Sequence, residues 1–214
     1  LEGVWYNTLV REGFSDTEAR AFFVGPAYSA WQWMTNIEGH GGPLSRAFIE
    51  ARVRLGQRWL GRAEELGMTP IRQGFSGYVP ARLKETHPDL AIARQPSWCG
   101  FPGSCQLDPT DPYFRRIGTT FMEESLRLFG TTSHLWAADP FHESAPPKPG
   151  DQYLNAVGST IHGLMKAHDP LAVWAMQSWD IRKPITDPVP KGDLLVLDLT
   201  GERGGFWGHD YIRG

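Results

Sequence analysis

A group of polar side chains that could carry acid–base chemistry follows an apolar run near the middle of the chain. Residues 135–138 are apolar and short, as in a buried strand, and Asp139, His142 and Glu143 come next, before a proline-rich segment. A glutamate at the end of a strand is well placed for catalysis in a parallel α/β barrel, because active sites in these barrels lie at the carboxyl ends of the strands. The alternative is that Glu143 is an ordinary solvated acid in a loop.

The same region contains residue types that bind metals. His134, Asp139 and His142 lie close together in sequence, so a zinc site has to be considered. The chain contains neither an HxxxH nor an HExxH pattern, the spacings that bring two histidines of one helix to a metal ion. We therefore expect no metal site and no cofactor.

Composition narrows the class of protein and of partner. The chain has 214 residues, of which 41% are hydrophobic and 21% charged, as in an ordinary globular domain. The formal net charge is −3 and Lys and Arg form no cluster, which argues against nucleic acid and acidic membrane surfaces as partners. No apolar run approaches the roughly 18 residues of a membrane span. The chain opens at Leu1 without a signal peptide, and we expect a processed protein or a piece of a larger one.

Aromatic residues are numerous. Nine Trp, eleven Phe and six Tyr are many for a chain of this length. Clefts that bind sugars use tryptophan, because the apolar face of a pyranose ring stacks on the indole. A large core also uses tryptophan, so the count alone does not decide between these uses.

Several segments have the spacing and end signals of helices. Residues 15–24 open with Ser15 and Glu18 in capping-box spacing. The helices predicted from Asp111 and from Asp151 begin at a capping acid and present apolar residues at steps of three and four. The clearest pattern covers 43–66, where the residues expected to face the core are Leu44, Phe48, Ala51, Leu55, Trp59, Ala63 and Leu66.

Short apolar runs alternate with these helices. We predict strands at 68–75, 135–138, 172–179 and 193–199, and a long functional loop at 95–112. The runs are too continuous for a sheet with one solvated face, so they predict an α/β fold with a parallel sheet covered on both faces. A barrel and an open doubly wound sheet both fit this pattern, and no GxGxxG or GxxxxGK[ST] motif follows a strand.

Several distinctive sequence segments occur along the chain. They are GFSDTEARAFFVGPAYSAWQWMTN, ELGMTPIRQGFSGYVP, PSW at 96–98, WAADPFHE, AVWAMQSW and LLVLDL. In this order they resemble segments of the alpha-N-acetylglucosaminidases, glycoside hydrolase family 89, over nearly the whole chain. The resemblance implies an exo-acting catalytic domain of the (β/α)8 TIM-barrel type. Residues 1–214 would form part of that domain, as an incomplete barrel that acts on terminal alpha-linked N-acetylglucosamine with retention.

The resemblance also implies the residues of a site. Glu143 matches the general acid/base of the family. Trp31, Trp98 and Trp179 match positions that line the sugar pocket, and Leu199 matches an apolar contact, although each could instead belong to a core. Asn36 and Gln177 could orient sugar hydroxyls or serve as structural amides. His142 stands where many relatives have Asn, and it could bind the acid or the sugar.

A retaining glycosidase needs a second carboxylate as the nucleophile. In the family this residue lies on a later strand, past the last segment that resembles this chain, and Asp198 and Glu202 are the only nearby substitutes. The alternative function is therefore a carbohydrate-binding or structural fragment. The connection 180–192 is also unlike the family's longer helical connection, because its prolines break a helix.

Partner and compartment follow from the resemblance alone. It implies a small carbohydrate substrate with a terminal alpha-N-acetylglucosamine, and an exported or lysosomal protein. In such a compartment Cys99 and Cys105 would form a disulfide that braces the Trp98 loop. In a reducing compartment the two residues would be thiols.

Overall fold

The computed structural model describes residues 1–131, 133–141, 143–178 and 181–198. The strands are β1 (Arg72–Gln73), β2 (Tyr78–Val79), β3 (Ile92–Arg94), β4 (Cys105–Leu107), β5 (Leu135–Ala137), β6 (Val173–Gln177) and β7 (Leu194–Leu197). The α-helices are α1 (Glu2–Arg11), α2 (Asp16–Ala21), α3 (Ser29–Trp33), α4 (Arg46–Glu65), α5 (Ala81–Thr86), α6 (Pro112–Phe129), α7 (Asp151–His168) and α8 (Lys183–Thr186). A 3-10 turn, Pro26–Tyr28, precedes α3.

The larger sheet is parallel and follows the order β1-β5-β6-β7. Each strand pairs with the next along this order, as in the register Gln73↔Ala137 and Ala137↔Ala175. Helices α6, α7 and α8 lie in the successive connections, as parallel crossovers require. The order advances in one direction without the reversal that marks a doubly wound sheet, so the described strands form part of a TIM-type barrel. The predicted α/β class is confirmed.

The core lies where α6 and α7 cover the parallel sheet. Trp136 on β5 and Trp174 on β6 are fully buried, as befits strands covered on both faces. The predicted inward faces of α6 and α7 are confirmed, because their apolar stripes are buried in this core. The buried members are Phe114, Ile117, Phe121, Val157, Ile161, Leu164 and Met165.

The predicted inward face of α4 was wrong at several positions. Leu55, Trp59 and Leu66 are 50%, 55% and 57% exposed. Ala63 of the predicted face is buried, together with Ile49, which was not predicted. The cause is the way the helix packs, since α4 contacts α1 and α6 along a narrow stripe. The spacing of apolar residues predicted the helix correctly. It did not show which part of the apolar surface of α4 would be covered by α1 and α6.

A second, antiparallel sheet was not predicted. Strands β2, β4 and β3 pair in that order, with Val79 and Arg94 flanking Cys105. The central strand β4 lies inside the segment 95–112, which the sequence indicated to be a loop. Helix α1 was also missed. The connection 180–192 does contain the one-turn helix α8, which packs on α7 despite the prolines around it.

Two glycines of α7 give a matched test of the packing between α7 and α8. A Cβ at Gly158 would lie 1.8 Å from the carbonyl oxygen of Ile185, whereas a Cβ at Gly163 would meet only the Arg115 guanidinium, at 3.8 Å. We expect Gly158→Ala to lower the free energy of unfolding by about 1–3 kcal/mol, the usual cost of overpacking. Gly163→Ala should raise it by roughly 1 kcal/mol through helix propensity. Urea unfolding of both variants checks this, and equal effects would contradict it.

None of the described helices is both long and apolar enough to cross a lipid bilayer.

Candidate active site

Glu143 follows β5 at the carboxyl end of the parallel sheet, as predicted. The chain turns sharply here, because Phe141 and Glu143 have φ of 61° and 50°, values that cost a non-glycine residue roughly 1–2 kcal/mol. Phe141 is buried, which anchors the turn in the core, while Glu143 is exposed. The fold therefore holds a carboxylate at the edge of the sheet where barrel active sites lie.

Two side chains donate to the same oxygen of Glu143. Asn36 Nδ2 lies 2.8 Å from Oε2 and Trp98 Nε1 lies 2.6 Å from it. Asn36 follows α3, and Trp98 opens a tight turn that closes on Phe101 through two backbone hydrogen bonds. Three predicted site residues from distant parts of the chain are thus brought together at one carboxylate oxygen.

The antiparallel sheet holds the segment that carries Asn36. The hydroxyl of Ser104 donates to the carbonyl of Thr35, and the Tyr78 hydroxyl donates to the Ile37 carbonyl at 3.0 Å. Asn36 itself is only 6% exposed, and its Oδ1 is buried without a hydrogen-bond partner in the described part of the protein. The amide orientation is consequently set by its bond to Glu143.

A narrow polar cleft lies beside this carboxylate. It suits water or a hydroxyl-bearing ligand, because most of its side chains can donate or accept hydrogen bonds. Its lining residues are Thr35, Asn36, Gln95, Pro96, Ser97, Trp98, Ser104, Gln106, Glu143 and Ser144.

Gln177 lies at the carboxyl end of β6, beside the end of β5. Its backbone N–H and its side-chain amide donate to the two carboxylate oxygens of Asp139, at 2.8 and 3.2 Å. These two hydrogen bonds join β6 to the segment that follows β5. They favour a structural role for the Gln177 amide, one of the two alternatives that the sequence left open.

Trp31 lies on α3 and is 40% exposed. Its carbonyl accepts from the Asn36 backbone N–H at 3.0 Å, so the indole is attached next to the Glu143 partner. A row of rings runs from it, with centroid separations of 6.5 Å to Tyr28, then 4.6 Å to His40, then 4.8 Å to Phe101. The three further rings were not predicted; their signal in the sequence is the aromatic content of the segments that contain them.

Three predicted site residues, His142, Trp179 and Leu199, lie outside the described residues, as does Glu202. Asp198 is described and directly follows β7.

Comparison with known proteins identifies the family. The family model described as "Alpha-N-acetylglucosaminidase (NAGLU) tim-barrel domain" matches residues 1–212. The chain belongs to this family. It is 33% identical to the human protein named alpha-N-acetylglucosaminidase, over 94% of this chain and 29% of that protein.

Solved structures agree with this assignment. A family 89 glycoside hydrolase from Clostridium perfringens, in complex with PUGNAc, is 33% identical and superposes with a TM-score of 0.90 over 99% of this chain. A variant of the Clostridium perfringens protein with two glutamates replaced by glutamine was solved with its substrate GlcNAc-alpha-1,4-galactose, and it is 32% identical with a TM-score of 0.90. The chain spans about a quarter of the length of each of these structures.

The histidine considered as a metal ligand lies at the end of β5 opposite to Glu143. His134 directly precedes the strand, and its Nδ1 lies 2.7 Å from Asp169 Oδ1. Burial raises the pKa of Asp169, but hydrogen bonds from Trp136 and His134 outweigh it and hold that pKa below its usual value. His134 therefore belongs to a structural pair. Among the described residues no three His, Cys, Asp or Glu side chains are grouped to hold a metal ion.

The disulfide expected between Cys99 and Cys105 is not present, and both thiols are free. Cys105 is buried in the central strand of the antiparallel sheet. Cys99 is exposed at the tip of the Trp98–Phe101 turn, where its φ of 46° and that of Gly100, 84°, are typical of a two-residue type I′ loop. The turn is closed by backbone hydrogen bonds, so the Trp98 loop is braced without a disulfide.

Glu38 is a partly buried acid that was not predicted from the sequence. Both of its carboxylate oxygens accept from the Ala81 N–H, at 3.0 and 3.2 Å, at the first residue of α5. Burial raises the pKa of Glu38 to about 7 from an ordinary 4.5, and Glu85 adds to the rise, while the Ala81 N–H and the Arg94 charge oppose it. Nothing in the sequence around Glu38 indicated this burial.

We expect Glu38 to make the stability of the protein depend on pH. A raised pKa in the folded state means that its stabilising effect is complete below about pH 4.5 and is lost as the pH rises to about 7. The loss should approach about 3 kcal/mol, from 1.36 kcal/mol per pKa unit. Urea unfolding of wild type and Glu38→Gln at pH 5 and pH 8 tests this. A difference between the two proteins that is the same at both pH values would contradict it.

Proposed function

We propose that residues 1–214 are part of the catalytic barrel domain of a retaining exo-glycosidase that releases terminal alpha-linked N-acetylglucosamine, with Glu143 as its general acid/base. The observation that carries this proposal is the place of Glu143 at the carboxyl end of β5, with Oε2 bound by Asn36 and Trp98. The family and the sugar complex of the Clostridium perfringens relative support the choice of substrate.

The reaction requires two carboxyl groups. Glu143 first donates a proton to the glycosidic oxygen while a carboxylate roughly 5–5.5 Å away attacks the anomeric carbon, and Glu143 then deprotonates the water that releases the sugar. The two glutamates replaced in the substrate complex lie farther apart in sequence than the length of chain that follows Glu143 here. We therefore propose that the nucleophile is supplied from outside residues 1–214.

The remaining predicted residues complete the proposed site. Trp31, Trp98 and Trp179 would stack on the sugar, and Leu199 would make an apolar contact. The polar groups proposed to orient hydroxyls are Asn36 and His142, whereas the Gln177 amide is held by Asp139. The partner is a small carbohydrate, with no role for nucleic acid, and the proposed location is exported or lysosomal.

The complete barrel enzyme that carries residues 1–214 tests this function. It should hydrolyse an aryl alpha-N-acetylglucosaminide, and proton NMR during the first turnovers should show the alpha anomer of the released sugar. The beta anomer as first product would contradict retention. The absence of hydrolysis of alpha-linked N-acetylglucosamine would contradict the proposed activity.

One observation favours a carbohydrate-binding fragment as the second candidate. Among the described residues that line the cleft, Glu143 is the single acid. A fragment of this kind would bind N-acetylglucosamine without turning it over. Titration calorimetry of residues 1–214 with the sugar, next to an assay of the complete enzyme, separates the two functions.

A further inference from the structure

The two hydrogen bonds at Glu143 are unequally distributed between its oxygens. Asn36 Nδ2 and Trp98 Nε1 both donate to Oε2, at 2.8 and 2.6 Å. No described residue donates to Oε1. The side chain is exposed, so Oε1 is left available to a ligand in the cleft.

We infer that Asn36 and Trp98 are positioning residues that reserve Oε2 as an acceptor and so assign the catalytic proton to Oε1. This inference rests on the proposed function. An oxygen that accepts two N–H groups has both lone pairs in use. If that oxygen carried the proton, its hydrogen would face two N–H hydrogens. A proton on Oε1 leaves both donors satisfied.

The assignment fixes how charge moves in each step. In the first step the Oε1–H bond breaks and its proton goes to the glycosidic oxygen. The bond from that oxygen to the anomeric carbon breaks as the nucleophilic carboxylate forms its bond to that carbon. Glu143 is left as a carboxylate, whose charge the two N–H groups on Oε2 stabilise. In the second step Oε1 takes a proton from water, whose oxygen bonds to the anomeric carbon as the bond from that carbon to the nucleophile breaks, and the acid is restored.

The donors are held in place before any ligand arrives. The carbonyls on either side of Asn36 accept from Ser104 and Tyr78 of the antiparallel sheet region. Trp98 is fixed by its paired hydrogen bonds to Phe101. Preorganised donors of this kind cost little reorganisation when charge develops on the carboxylate.

The test uses the complete barrel enzyme and the pH dependence of kcat/KM. Trp98→Phe keeps a ring but loses the N–H, and Asn36→Ala removes the other donor. Each lost donor makes the carboxylate that the first step leaves behind less favourable. We therefore expect the alkaline limb of the profile to move to higher pH. For substrates with poor leaving groups, kcat/KM should fall roughly 10- to 100-fold.

Asn36→Asp is the sharper variant, because it keeps the shape of the amide and places a negative charge beside Oε2. Its alkaline limb should move further than that of Asn36→Ala. Trp33→Phe is the matched control, since Trp33 belongs to the same helix as Trp31 and packs against Phe23 instead. We expect its pH profile to match wild type.

The outcomes separate the two proposals. Suppose that wild type is active and depends on Glu143. If the Trp98 and Asn36 variants then lose kcat/KM equally for all leaving groups, and the alkaline limb of their pH profile does not move, these residues only bind or pack. That result overturns the inference. If wild type shows no hydrolysis, or if Glu143→Gln behaves as wild type, the proposed function itself fails.

Discussion

Glu143→Gln in the complete barrel enzyme should lower kcat/KM by about 1,000-fold for natural glycosides, whose leaving groups need a proton. The glutamine has nearly the shape of glutamate, and its carbonyl can still accept from Asn36 and Trp98. It cannot donate an acidic proton to the glycosidic oxygen. An aryl glycoside with a strongly acidic phenol leaves without that help, so its kcat/KM should fall less than about tenfold.

In the proposed mechanism the second step also depends on Glu143, which would deprotonate the attacking water. For the activated substrate we therefore expect kcat to fall and the glycosyl-enzyme to accumulate. Azide needs no base, so it should restore turnover and yield the glycosyl azide. Glu64→Gln, at an exposed position of α4, serves as the control and should leave both substrates unaffected. Equal losses on the natural and the activated substrates would show that Glu143 is not the proton donor.

The 214-residue chain alone should show no turnover of alpha-N-acetylglucosaminides. The chemistry needs a nucleophile about 5 Å from the acid on the opposite side of the anomeric carbon, and the described cleft residues include no acid besides Glu143. The described parallel sheet has four strands of the eight in a closed barrel. Assay of the chain against the complete enzyme on an aryl substrate measures this directly.

Asp198 and Glu202 provide the decisive controls for that assay. If the chain alone were a monomer that melts cooperatively and hydrolyses the substrate, and if Asp198→Asn or Glu202→Gln abolished the activity, the nucleophile would be local. The proposal that it comes from outside residues 1–214 would then be wrong. Activity unaffected by either substitution would equally contradict it, since some other residue of the chain would have to act.

The position of Glu143 could be predicted because a buried parallel strand has a recognisable sequence pattern. The run that contains Leu135 and Trp136 is apolar on both faces, and the polar residues after it mark where the strand ends. The faces of α6 and α7 were predictable for a related reason, since most of the apolar stripe of each helix is buried.

The immediate partners of Glu143 were harder to find. Trp98 was predicted as a pocket residue from the family resemblance, and Asn36 as either a sugar-orienting or a structural amide. Their bonds to Oε2 bridge 45 and 107 residues of sequence. No local pattern records such a contact. Strand β4 has only three residues and lies in a stretch rich in Gly and Pro, so its own strand propensity is low. Its pairing with β2 and β3 stabilises the extended conformation.

The long sequence separations at Glu143 also bear on the order in which the protein assembles. The acid belongs to the parallel sheet, whereas its two donors depend on the antiparallel sheet and the segment after α3. Contacts of this kind form after the loops between them have closed, and regions joined by few contacts open before the global unfolding transition. Mild denaturant should therefore separate the donors from Glu143 while α6 and α7 still cover the sheet, so that loss of the site precedes loss of the fold.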